Sequence, residues 1–230
     1  MDNTTAQSPA NPFPNDIVFF DCEATGLKSE SAQIIELGIV SATGETLLSQ
    51  LAKPTHSIPP HIVELTGISD RDVAKAPSER QLLQKAHPIF LAARAIGGYF
   101  IHLDYQYLKH AYRRADMAEE FKAIAAKPLL CAKTLARQII PEIGLDFSLP
   151  DLCKSLQITP GSNHRATDDA IMSQRAILKL AERSSQKTLQ DLLALQGPIV
   201  QSPWEMPGSP INEREAARTR WEQFVASCES

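Results

Sequence analysis

Ile17-Val-Phe-Phe-Asp21-Cys-Glu23-Ala-Thr25-Gly26-Leu27 is the stretch on which the reading of the fold turns. Ile17, Val18, Phe19 and Phe20 form an unbroken β-branched and aromatic run, the composition of a short buried strand. Asp21 and Glu23 follow two apart, and side chains at i and i+2 of an extended chain leave the same face. Two carboxylates therefore emerge side by side at the end of a buried strand. Like charges so close repel one another and are costly to desolvate, so such pairs bind divalent cations or share a proton. For the pair alone, a solvent-facing strand end is an equally good reading.

Outward from this strand, residues 33–40 and 45–51 are further aliphatic runs separated by Thr43-Gly44, which reads as a hairpin turn between antiparallel strands. Beyond Pro54 the spacing becomes helical, with one stripe of Leu82, Leu83, Ala86, Ile89 and Phe90 and another of Leu103, Tyr107, Leu108 and Ala111. Residues 95–101 and 128–131 supply a fourth and fifth strand, and helical patterns follow at 134–140, 149–156 and 166–181. Three strands first, then strands alternating with helices, make a mixed α/β layout. Residues 1–15 carry too little apolar content to fold alone and read as a flexible lead-in. Pro198, Pro203, Pro207 and Pro210 mark a linker, after which Asn212 could cap a last helix bearing Ala216, Ala217, Trp221, Phe224 and Val225. The expected division is a lead-in at 1–15, a main domain at 16–182, and a helical and Pro-rich C-terminal extension at 183–230.

At 230 residues and 43% hydrophobic content, the chain can bury a full core. Its net charge of −4 argues against a protein that grips nucleic acid through a strongly basic surface, but not against one that uses bound metal ions. Cys22, Cys131, Cys153 and Cys228 show no C-x-x-C pair, which suits free thiols better than zinc or a disulfide framework. By strand alternation Cys22 points away from the two acids, into the core. The start of the chain lacks the basic and apolar regions of a secretory signal, and no apolar run approaches the ~20 residues needed to span a bilayer. A soluble cytoplasmic protein without membrane attachment is expected.

Two further segments carry candidate chemistry. His164-Arg-Ala-Thr-Asp-Asp169-Ala places a histidine just before a helix and acids in its first turn, where any helix favours them. Asp104 lies in a strand-to-helix passage and by itself is simply an N-terminal helix acid.

Together, these residues resemble the DEDDh 3′-to-5′ exonucleases, the DnaQ-like family on a ribonuclease H-like fold. The motif D-x-E-x-T-G-L is met by Asp21, Glu23, Thr25, Gly26 and Leu27, and H-x-A-x-x-D-A by His164, Ala166, Asp169 and Ala170. The aspartate of the intervening motif falls on Asp104. Ile34-Ile-Glu36-Leu-Gly38, Leu65-Thr-Gly-Ile68 and Ser148-Leu-Pro-Asp-Leu152 are similar to the family's supporting stretches. The resemblance covers about residues 16–182, and one departure is Tyr99-Phe100, where the family usually has His-Asn.

The resemblance implies a five-stranded mixed sheet flanked by helices, and an enzyme that releases nucleoside 5′-monophosphates from single-stranded 3′ ends. Asp21, Glu23, Asp104 and Asp169 would hold two divalent ions, Mg²⁺ or Mn²⁺, with His164 as general base. A pair of ions about 3.5–4 Å apart shields the phosphate, generates hydroxide and steadies the leaving oxygen. Hard cations of this kind prefer oxygen ligands. An unperturbed imidazole exchanges its proton near neutrality, as the base step requires. Arg165 stands where the family's tyrosine variant would carry its tyrosine, which favours the histidine subclass.

Thr25, Gly26, Leu27, Thr66 and Ile68 would contact the terminal nucleotide, with Leu27 or Ile68 wedging the last base. Lys109, His110, Arg113 and Arg114 could guide a strand electrostatically or simply form a solvated helix face. DNA is favoured slightly over RNA 3′-end trimming. The reading from another class is a non-catalytic module recruited to a protein partner through 198–230. Family members occur as subunits of assemblies and as dimers, which leaves the oligomeric state open.

Overall fold

The computed structural model describes residues 16–144, 146–159, 161, 164–186, 188–197 and 219. The lead-in at 1–15, the expected helix after Asn212 and the segment 198–230, read as a possible site for a protein partner, lie outside the described residues, Thr219 excepted.

The chain runs β1 (Ile17–Ala24), β2 (Ile34–Ser41), β3 (Thr46–Leu51), α1 (Pro60–Thr66), α2 (Asp70–Val73), α3 (Glu79–Ala92) and β4 (Ala95–Gly98). It continues through α4 (Ile101–Arg114), α5 (Ala118–Ala125), β5 (Leu129–Cys131), α6 (Ala132–Ile139), α7 (Leu149–Ser155), α8 (Ala166–Ser184) and α9 (Leu189–Gln196). The five strands form one mixed sheet, as expected, and their order is β3-β2-β1-β4-β5. β1, β2 and β3 pair antiparallel, and β4 and β5 join parallel to β1.

Alternation along β1 divides the core in two. Ile17 and Phe19 face a cluster built with α6, α7, α8 and α9, while Val18, Phe20, Cys22 and Ala24 face α3, α4 and α5. Asp21 and Glu23 share the parity of Ile17 and Phe19, so they project toward α8. A third, smaller cluster joins Ile35 to Ile58, Ile62, Ile68 and Val73.

Several boundaries differ from expectation for local reasons. β1 runs on to Ala24, so both acids stand within a paired strand, opposite Gly38 and Glu36 of β2. β4 stops at Gly98, and Tyr99-Phe100 form the corner into α4. Residue 182 falls inside α8, and α9 packs onto the same domain through Leu189 and Leu192. The Gln196 side chain accepts from the Cys131 N–H at 2.6 Å and donates to the Leu129 carbonyl at 3.0 Å, covering the exposed edge of β5 as another strand would. Among the described residues, no helix is long and apolar enough to cross a membrane.

Candidate active site

β1 ends in two acids because its hydrogen bonding outlasts that of its neighbour. Pairing with β4 ends at Phe19↔Gly97, and beyond it the Cys22 N–H donates to Asp104 Oδ1 at 3.2 Å. The Cys22 thiol donates to the same oxygen at 3.4 Å. Cys22 is therefore buried in the core, as alternation predicts, yet it also anchors Asp104, which alternation did not foresee. Asp104 sits in the first turn of α4, and Tyr107, one turn on, donates its hydroxyl to the Gly26 carbonyl at 2.8 Å. The helix thus fixes both the middle carboxylate and the loop after β1.

From the opposite side the segment before α8 brings His164, and the first turn of α8 brings Asp169. Ligand atoms of Glu23, His164 and Asp169 all lie within 4.8 Å of one another. The His164 N–H donates to the Asp169 carboxylate, and His164 holds a left-handed backbone with φ of 59°. The start of α8 is capped by a distant side chain: Glu36 Oε2 accepts from the Ala166 N–H at 3.0 Å.

The electrostatics are those of negative charge without enough compensation. Burial, together with the Asp104, Asp169, Glu23 and Glu36 carboxylates, holds Asp21 well above the usual carboxylate range. Glu23 is pushed up to about 8 by burial and by Asp169, Asp104 and Glu36, against which Arg165 pulls only weakly. Burial drives Asp104 up to about 7 against the opposing pull of the Cys22 hydrogen bonds. Asp169 likewise rises to about 7, mainly by burial, despite the His164 N–H. Carboxylates crowded until they resist ionising together, with an imidazole at their edge, fit hard divalent cations bound through oxygen.

The expected nucleotide contacts divide. Thr25, Gly26 and Leu27 line a cavity of 330 Å³ with Lys28, Ser31, Ala32, His56 and His61. The Thr25 hydroxyl accepts from the Gln33 N–H at 2.9 Å and pairs with His56 Nε2 at 3.2 Å. Thr66 and Ile68 are 5% and 4% exposed, and the Thr66 hydroxyl is engaged by the Ile62 carbonyl and the Ile68 N–H. Ile68 belongs to the small core cluster and Thr66 is buried at the end of α1, whereas Leu65 beside them is 42% exposed.

Arg114, open on sequence between guiding a strand and lying on a solvated helix face, pairs with the buried Glu79 at 2.8 Å. Tyr99 and Phe100, which replace the usual His-Asn, combine with Phe147 around Lys133, whose Nζ lies 5.5, 5.5 and 5.3 Å from the three ring centroids. This cluster has no signal in the sequence, because its members are brought together only by the β4–α4 corner, α6 and the segment before α7.

A mixed five-stranded sheet carrying convergent carboxylates and a histidine defines the DnaQ-like class of nucleases on the ribonuclease H-like fold. Residues 18–177 match the RNase_T family, described as exonuclease, and the chain belongs to that family. It is 29% identical over 192 residues to the PolC-type DNA polymerase III of Oceanobacillus iheyensis, covering 82% of this chain but 13% of that protein. To the DNA polymerase III subunit epsilon of Aquifex aeolicus it is 27% identical over 168 residues, 72% of this chain and 80% of that one. The fold is shared with E. coli exonuclease I in complex with a dT13 oligonucleotide, with a TM-score of 0.66 at 17% identity over 77% of this chain and 43% of the other.

Proposed function

We propose that the chain hydrolyses phosphodiester bonds at single-stranded 3′ ends and releases nucleoside 5′-monophosphates, with DNA the favoured polymer. The observation that carries this reading is the convergence of Glu23, His164 and Asp169 within 4.8 Å beside the half-buried Asp21 and Asp104. Asp21, Glu23, Asp104 and Asp169 would hold the metal. Two divalent ions there would shield the phosphate, lower the pKa of water and steady the departing 3′-oxygen.

The remaining steps belong to the protein. His164, exposed at the edge of the cluster, takes the proton from the attacking water, and the Asp169 carboxylate fixes its backbone. Asp104, held by Cys22, keeps its oxygens directed toward β1. Gly26 and Leu27, at the mouth of their cavity, receive the terminal nucleotide. DNA is preferred because the relatives are DNA polymerase III proteins and the structural neighbour is complexed with dT13. The catalytic domain extends from residue 16 through Gln196, since α9 completes its sheet edge.

The test is a time course on 5′-labelled single-stranded DNA and on RNA of matched sequence, with Mg²⁺ or Mn²⁺. Stepwise shortening from the 3′ end, faster on DNA, with mononucleotide 5′-phosphate as product, is expected. Internal cleavage, or faster loss of RNA, would oppose the reading.

A further inference from the structure

We propose that Glu36 is a positioning residue for this active site: its buried carboxylate ties the strand bearing Asp21 and Glu23 to the helix bearing Asp169 and to the segment carrying His164. The inference rests on the exonuclease reading and adds to it a residue that neither holds metal nor touches substrate.

Glu36 is 2% exposed and has three donors. Arg165 reaches it through Nε at 3.2 Å and Nη2 at 2.7 Å, and the Ala166 N–H reaches it at 3.0 Å. Stability is a poor explanation for a charge placed there, since buried ion pairs are often replaced by apolar residues of similar volume without loss. Placement is a better one. Glu36 stands directly opposite Glu23 across the β1–β2 ladder, and Gly38 stands opposite Asp21. A Cβ on Gly38 would lie 2.4 Å from the Thr167 nitrogen and 2.5 Å from the Ala166 carbonyl carbon, so the first turn of α8 rests on bare β2 backbone. Contact at Gly38 sets how closely helix and strand approach, and Glu36 stops one sliding on the other.

The segment so held needs holding. A left-handed backbone at a residue other than glycine costs about 1 kcal/mol and persists only where the surroundings impose it. His164 has that backbone and is followed at once by Arg165, whose side chain is clamped by Glu36 and whose carbonyl accepts from the Asp169 N–H at 3.0 Å. Releasing the guanidinium would free His164 to swing and the first turn of α8 to shift. Misplacement of reacting groups by about 1 Å can cost ~10²-fold in rate.

The experiment compares wild type, Glu36→Gln, Arg165→Met and the double variant as full-length proteins. It reads kcat and KM on labelled oligo(dT), Mn²⁺ affinity by calorimetry, and melting temperature in chelator. In Glu36→Gln, kcat should fall by about 10²-fold, with KM within a few-fold, Mn²⁺ binding several-fold weaker and melting temperature retained. The double variant should lose no more than the worse single one, because both changes release the same clamp. Arg165 is half exposed, so Arg165→Met keeps the test available if Glu36→Gln does not fold. Unchanged kcat and Mn²⁺ affinity in folded variants, additive losses, or losses that merely track a fallen melting temperature would overturn the proposal. If wild type shortens no oligonucleotide, the functional reading fails by itself, and the Mn²⁺ titration still tests the tether.

Discussion

At Lys133 two local effects oppose one another. Its ammonium sits over the rings of Tyr99, Phe100 and Phe147, yet burial pulls its pKa down from 10.5 to about 8. Burial and the neighbouring Arg137 thus work against the charge, while each aromatic contact returns about 0.5–2 kcal/mol. A base whose folded pKa lies below its unfolded value destabilises the fold at low pH, and that penalty fades as pH rises through the folded value toward the unfolded one. Lys133→Met should thus raise the denaturation midpoint at pH 7, and the gain should shrink above about pH 8 and be largely gone by about pH 10. Urea titrations at the two pH values check this, and a lowered midpoint at pH 7 would mean that the cation–π contacts prevail. At the residue scale, the acids and His164 were legible because they sit in short motifs with fixed spacing. The partners that orient them were not: Cys22 meets Asp104 across 82 positions and Arg165 meets Glu36 across 129.

At the scale of elements, the strands and helices followed from periodicity, and the errors fell where tertiary context decides an end. β1 keeps its acids inside the ladder because β2 continues opposite them to Ile34, which no property of residues 21–24 announces. β4 is short because its own continuation becomes the aromatic corner before α4. Thr66 and Ile68 stand at the motif positions of substrate contacts, and tertiary packing buries both side chains, Ile68 with Ile35 and Val73. Arg114 was read as part of a basic helix face, but the buried Glu79, which also accepts from the Ile34 N–H at 2.9 Å, claims it. A helical stripe tells which face is buried; it does not tell which charged neighbour another helix will supply.

At the scale of the molecule, two sheet halves close on a cluster of carboxylates that the protein alone does not neutralise. Asp21, Glu23, Asp104 and Asp169 all have folded pKa values raised above the usual carboxylate range. An acid with a raised folded pKa supports the fold below its unfolded value, and that support is lost as pH climbs through the folded value. The chelated protein should therefore lose melting temperature between about pH 4 and pH 8, and Mn²⁺ should restore more of it at pH 8 than at pH 5. Scanning calorimetry with and without chelator reads this, and a metal effect independent of pH would count against the carboxylates as its seat.

The most direct test of the whole scheme is the rate of His164→Ala on single-stranded DNA beside its Mn²⁺ affinity. The expected result is a folded protein that still binds Mn²⁺ and turns over about 10²–10⁴-fold more slowly, the range for a lost general base. A variant that shortens DNA at the wild-type rate would remove His164 from the chemistry and contradict the assignment of this cluster as the catalytic centre.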